Sequence, residues 1–240
     1  MYRVGLPLFP LNAVLFPDAP LPLHIFEARY RDMVRECLEK DRSFGVVLVA
    51  PEPFNESTAR IHSIGTIAHI VDTRPYPDGR YDIMCLGRER FRVDSHQNDR
   101  AYHTASVTIL SEAATRATHP NPADHSVNTG AIATQTIVEL RSLFATLFSA
   151  MTDDETRTEQ LGRIAQAIPS EPIALSYFAS RILPTANIAD RQELLEIPDA
   201  SSRLLKVQEH LKRERRVASQ LQEIGKNSST RGESTGHVFN

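Results

Sequence analysis

Hydrophobic and polar positions are arranged differently in the two halves of the chain. Up to about residue 118 the apolar positions come in short runs, rich in β-branched residues and bounded by proline or glycine, which predicts strands. Val4–Leu8 and Ala13–Phe16 are the first two, the second closed by Pro17. Phe44–Ala50 is a continuous apolar run bounded by Pro51 and Pro53 and fits a buried strand. Gly65–Thr73 and Arg80–Val93 flank Pro75-Tyr-Pro-Asp-Gly79, whose Asp-Gly step supplies the turn chemistry of a hairpin. Ala105–Leu110 is the last strand. One helix interrupts the set at about 27–40, with Tyr30, Met33, Val34, Cys37 and Leu38 as its apolar stripe and Glu27–Arg31 and Glu36–Lys40 as i,i+4 pairs on its wet side. Many short strands with a single helix predict a small closed or half-closed barrel.

From residue 131 the period changes to that of helices, expected near 131–150, 155–168, 171–183, 187–196 and 199–224. Pro169, Pro172, Pro184 and Pro198 punctuate them, and Asp199 is placed to cap the last. The organisation is therefore α+β: residues 1–118 a barrel subdomain, 119–130 a Pro-containing linker, 131–225 a helical bundle, and 226–240 a polar tail expected to be disordered.

Charge sharpens this division. Of a net −3, residues 1–120 contribute −1, residues 121–200 contribute −6 and residues 201–240 contribute +4. No global positive field favours nucleic acid or an anionic membrane. No apolar run approaches the length of a membrane span, and the prolines at 7, 10, 17, 20 and 22 speak against an export signal, so a cytoplasmic protein with reduced cysteines is expected. Two cysteines, Cys37 and Cys85, provide neither a disulfide framework nor a four-ligand zinc site.

Three blocks resemble one family. Leu6-Pro-Leu-Phe-Pro-Leu-Asn-Ala-Val-Leu-Phe-Pro17 with Leu21-Pro-Leu-His-Ile-Phe-Glu-Ala-Arg-Tyr30, then Ile64–Ile70 with Leu86-Gly-Arg-Glu-Arg-Phe-Arg-Val93, then Leu183–Glu196 resemble, in order, the N-terminal substrate-binding domain of Lon proteases. The resemblance implies a PUA-like pseudo-β-barrel followed by an all-α helical bundle. It also implies a non-catalytic module that binds polypeptide segments or a protein partner, here expected as a stand-alone protein. The family's ATPase and Ser–Lys protease modules have no matching positions, and no P-loop motif occurs; the only Gly-Lys pair is Gly225-Lys226.

Candidate chemistry is sparse. No G-x-S-x-G and no H-E-x-x-H is present, so no catalytic, cofactor-binding or metal-binding residue is expected. His24 and His69 read as satisfied barrel residues, His119 and His125 as solvated loop residues, and Asp153-Asp154-Glu155 as an acidic helix start. Ile25 and Phe26 are expected to anchor the helix to the barrel, with Glu27 favoured by the helix dipole. Arg88, Arg90 and Arg92 alternate on one strand, which would put three guanidinium groups on one face. They carry the alternative reading, an RNA-binding PUA-like module; the absence of tryptophan and of an aromatic-basic platform weighs against it. Self-association through the C-terminal helix is the remaining expectation, because Val217, Leu221 and Ile224 continue its apolar side beyond Leu204, Val207 and Leu211.

Overall fold

The computed structural model describes residues 1–50, 61–97, 100–112, 128–149, 159, 162–163, 166–167, 168–184 and 186–232, with side chains described outside 147–149 and 218–232. Among the described residues the elements run β1 (Tyr2–Leu11), β2 (Pro20–Ile25), α1 (Ala28–Glu39), β3 (Ser43–Leu48), β4 (Ile64–Pro75), β5 (Tyr81–Gln97), β6 (Thr104–Leu110), α2 (Thr129–Ser149), α3 (Pro172–Ile182), α4 (Ile188–Glu196) and α5 (Ala200–Gly232). Strands come first and helices afterwards, as the change of hydrophobic period requires.

The strand order is β2-β5-β4-β3-β1-β6, and a further pairing of β6 with β5 brings the sheet back on itself. β1 and β3 are parallel; the other pairs are antiparallel. The 17-residue β5 makes the ring possible: its first part pairs with β2 and its last part with β6. Leu6, Leu8, Val47, Ile67, Phe91, Ala105 and Val107 form a buried cluster to which every strand of the ring contributes. A second and larger cluster lies on the other faces, where α1 covers Phe9, Phe44, Val46 and Ile70 with Tyr30, Met33, Val34 and Cys37 and where the bundle packs. This is why β3 is buried at every position.

Several local expectations change. Ala13–Phe16 is not a strand; Leu15 and Phe16 are buried as irregular chain leading into β2. That chain passes so close to β5 that a Cβ at Gly87 would stand 2.2 Å from the Phe16 carbonyl oxygen, and Gly87 bonds through its own backbone to Asp18 and Ala19. Asp78-Gly79 does form the β4–β5 turn, with Gly79 at φ 84°. Glu36 and Lys40 pair as expected at 2.5 Å, but Glu27 pairs with Arg29, while Arg31 donates to the Asp78 carbonyl at 2.8 Å.

In the bundle α2 and α5 run parallel, since Thr129 meets Ser201 at 2.6 Å and Gln208 donates to Thr136 at 3.1 Å. Asp199 caps α5 by accepting from Ser202 N–H at 2.9 Å, and Asn187 and Asp190 form a reciprocal capping box on α4. α5 continues to Gly232, past the expected end at 224 and through the first part of the stretch read as a tail. Residues 113–127, which hold most of the expected linker with His119 and His125, lie outside the described residues, as do Asp153-Asp154-Glu155 and 233–240. No helix among the described residues is long and apolar enough to cross a membrane.

Candidate functional site

Beyond the ring, β4, β5 and β2 extend as a three-stranded sheet. Its register puts Pro22 beside Met84 and Met84 beside Asp72, with Val71 bulged out next to it. One row along, His24 lies beside Asp82 and Asp82 beside Arg74. Alternation sends Leu21, Leu23 and Ile25 toward the core and leaves Pro22 and His24 on the outside. On this outer surface Met84 is 37% exposed and Val71 50%. Phe26, expected to anchor α1, is instead 61% exposed, its ring stacked on His24 with centroids 6.2 Å apart. Chain direction explains the difference: Ile25, 2% exposed, takes the anchoring role, and its neighbour must point the other way.

The polar end of this surface is internally satisfied. His24 Nδ1 lies 2.6 Å from Asp82 Oδ1, and Tyr76 O–H donates to Asp82 Oδ2 at 2.5 Å. Hydrogen bonds from His24 and then Tyr76 lower the Asp82 carboxyl below its ordinary value. Arg74 and Arg80 lie 5.6 and 5.5 Å from the Tyr76 ring centroid. His24 is therefore a surface residue, whereas His69 sits half-buried against Ser43 at 3.1 Å.

β2 is the edge of this extension, pairing with β5 alone among the described residues. Pro20, Pro22 and His24 form one alternating set along it. Proline has no N–H, so in this set only His24 carries a main-chain donor. An added strand would find acceptors and a single donor, which leaves side-chain contact with the outer surface as the better-supplied mode of binding.

The arginine stripe does not form. Between Gly87 and Arg90 β5 gains a residue relative to β4, because Ala68 pairs with Gly87 but Thr66 with Arg90. The bulge puts Arg88 out of phase with Arg90 and Arg92, which stay on one face. Arg88 and Arg92 are exposed, but Arg90 is 1% exposed and turns under the bundle. Arg92 is also bound to Asp94 at 3.2 Å. Both cysteines are buried, and burial pushes the Cys37 and Cys85 thiols up to about 12, so neither supplies a ready thiolate. Among the described residues no group of His, Cys, Asp and Glu is arranged to hold a metal ion.

The family model of the ATP-dependent protease La (LON) substrate-binding domain matches residues 5–213, which is most of the chain. The chain belongs to the Lon substrate-binding domain family. Among curated relatives, Lon protease of Cytophaga hutchinsonii is 27% identical over 200 residues, covering 82% of this chain and 23% of the relative. Lon protease of Koribacter versatilis is 29% identical over 220 residues, covering 88% and 24%. This Lon-family chain thus spans about a quarter of the length of these relatives. Among solved structures, a Lon N-terminal domain protein from Xanthomonas campestris superposes with a TM-score of 0.54 at 25% identity, over 85% of this chain and 97% of that one. The N-terminal domain of Mycobacterium avium complex Lon protease superposes at 0.60 with 16% identity, over 87% and 98%, and supports the fold. The strand ring followed by helices is the Lon N-terminal arrangement, and the matches fall on the substrate-binding part rather than on ATPase or protease parts.

Proposed function

We propose that this chain is a non-catalytic cytoplasmic module that binds unfolded polypeptide segments through the outer surface of β2, β5 and β4. The observation that carries the reading is the exposure of Met84 and Val71 beside Pro22 on the sheet, with Phe26 just past the end of β2 and stacked on His24, where burying them against a client would remove apolar surface from water. Membership of a substrate-binding family supports a polypeptide as the occupant. The proline edge of β2 supports side-chain capture over strand addition. The RNA reading is disfavoured because Arg90 is withdrawn from the stripe it needs.

The test is fluorescence anisotropy with a labelled, permanently unfolded probe such as reduced and carboxymethylated α-lactalbumin. Phe26→Ser with Met84→Asp should weaken binding roughly tenfold or more, in line with the loss of two buried apolar groups. Unchanged affinity in the double variant would remove this surface from consideration. A single-stranded RNA probe in the same assay should bind weakly and no differently in Arg88→Glu with Arg92→Glu.

A further inference from the structure

Outside that surface, a heavily connected polar cluster among the described residues lies between barrel and bundle. Glu112, just after β6, accepts at its Oε1 from Tyr177 O–H of α3 at 2.5 Å, from Arg203 Nη2 of α5 at 2.7 Å and from Arg90 Nη2 of β5 at 3.2 Å. Two guanidinium groups therefore meet one carboxylate in a buried setting. The surplus positive charge is taken up by main-chain carbonyls at the end of α4 and just beyond it. Arg90 donates to Leu195, Ile197 and Pro198 at 2.7, 2.6 and 2.8 Å, and Arg203 to Leu194 and Ile197 at 3.1 and 2.7 Å. Carbonyls in a helix's last turn lack helical partners and form the negative end of its dipole, so they suit this role. The barrel side holds Arg90 with Glu112, so the bundle alone would leave Arg203 without its counter-charge.

We infer that Glu112 is a positioning residue, a latch that holds the barrel and its outer sheet surface at one angle to α5. That the surface so positioned binds polypeptide rests on the reading above; the latch itself does not. Neutralising Glu112 removes the counter-charge that Arg203 and Arg90 share while the Arg90 bonds to the carbonyls at the end of α4 remain, so the docking angle loosens without the two bodies coming apart.

Cys37 and Cys85 are buried, so spin labels can be directed to introduced thiols at Asp32→Cys on α1 and Lys212→Cys on α5, both exposed positions. In the full chain the distance distribution between them should be narrow. Glu112→Gln should broaden it at least twofold while the far-ultraviolet circular dichroism stays unchanged; Tyr177→Phe, which removes one donor and leaves the charges, should keep it narrow. An unchanged width in Glu112→Gln would overturn the latch. Loss of helical signal in Glu112→Gln would also overturn it, by making the carboxylate a requirement of bundle folding instead of docking. Anisotropy with the unfolded probe reads the binding proposal separately, since Glu112→Gln should alter that affinity by less than about twofold.

Discussion

The guanidinium of Arg203 lies over the ring of Tyr177, 4.1 Å from its centroid, while its nitrogens reach Leu194, Ser176, Glu112 and Ile197. Five N–H groups in a flat fork satisfy acceptors in four directions and stack on a ring at once; an ammonium, with three tetrahedral donors and no plane, cannot do both together. Arg203→Lys keeps the charge opposite Glu112 but leaves buried acceptors unpaired, and should cost about 1–3 kcal/mol. Urea denaturation followed by helical signal measures this, and a loss under about 1 kcal/mol would contradict it.

Glu36 gives a pH dependence of defined sign. Hydrogen bonds from Lys40, then from the Tyr102 hydroxyl and the Arg100 guanidinium, lower its carboxyl to about 2 from an ordinary 4.5. A carboxyl depressed in the folded state stabilises above its unfolded value, and that contribution is lost as pH falls through the folded value. The melting temperatures of the parent and of Glu36→Gln should differ most above pH 5 and converge between about pH 4.5 and 2. The group is partly exposed and screened, so the difference should amount to a few degrees. Parallel curves across this window would show that the cluster contributes nothing.

Gly87 tests the close approach of the chain before β2 to β5. A methyl group there meets backbone oxygen at 2.2 Å, which cannot rotate away. Gly87→Ala should destabilise by about 1–3 kcal/mol, the usual cost of overpacking. At Gly162, where an added Cβ meets nothing within 4 Å, the same substitution should be neutral or slightly stabilising, because alanine is the better helix former. Denaturation midpoints of the two variants give the comparison.

Much of the fold is legible because it rests on period and punctuation. The continuous apolar run at 44–50 yields β3, the Asp-Gly step yields the β4–β5 turn, and the stripe from Tyr30 to Leu38 yields α1. What escapes the sequence depends on single residues that shift a register or on contacts far apart. One inserted residue in β5 puts Arg88 out of phase with Arg90 and Arg92, the end of α4 covers Arg90 alone, and nothing in Arg-Glu-Arg-Phe-Arg marks either the bulge or the cover. Glu112 has no local signal at all, because its partners lie 22, 65 and 91 residues away. The face carrying Phe26 was hidden for a related reason: Phe26 and Ile25 are equally apolar, and only the direction of entry into α1 distinguishes them.

That pair supplies the last prediction. Ile25 and Phe26 are consecutive, large and apolar, yet one is buried in the core and the other lies mostly in water. If burial sets the energetic role, Ile25→Ala should lose about 2–5 kcal/mol of stability, as a large-to-small change in a packed core does. Phe26→Ala removes a bigger side chain but vacates little packed volume; it gives up mainly its stacking on His24, so its cost should stay below about 1 kcal/mol. The two variants should separate in the opposite sense on binding. Phe26→Ala should weaken capture of an unfolded polypeptide, whereas Ile25→Ala, measured below its own melting transition, should bind as the parent does. Denaturation and anisotropy on the same two proteins decide the matter. A Phe26→Ala variant that is strongly destabilised would mean that this ring belongs to the fold, and one that is stable yet binds like the parent would leave its exposure without a role in binding.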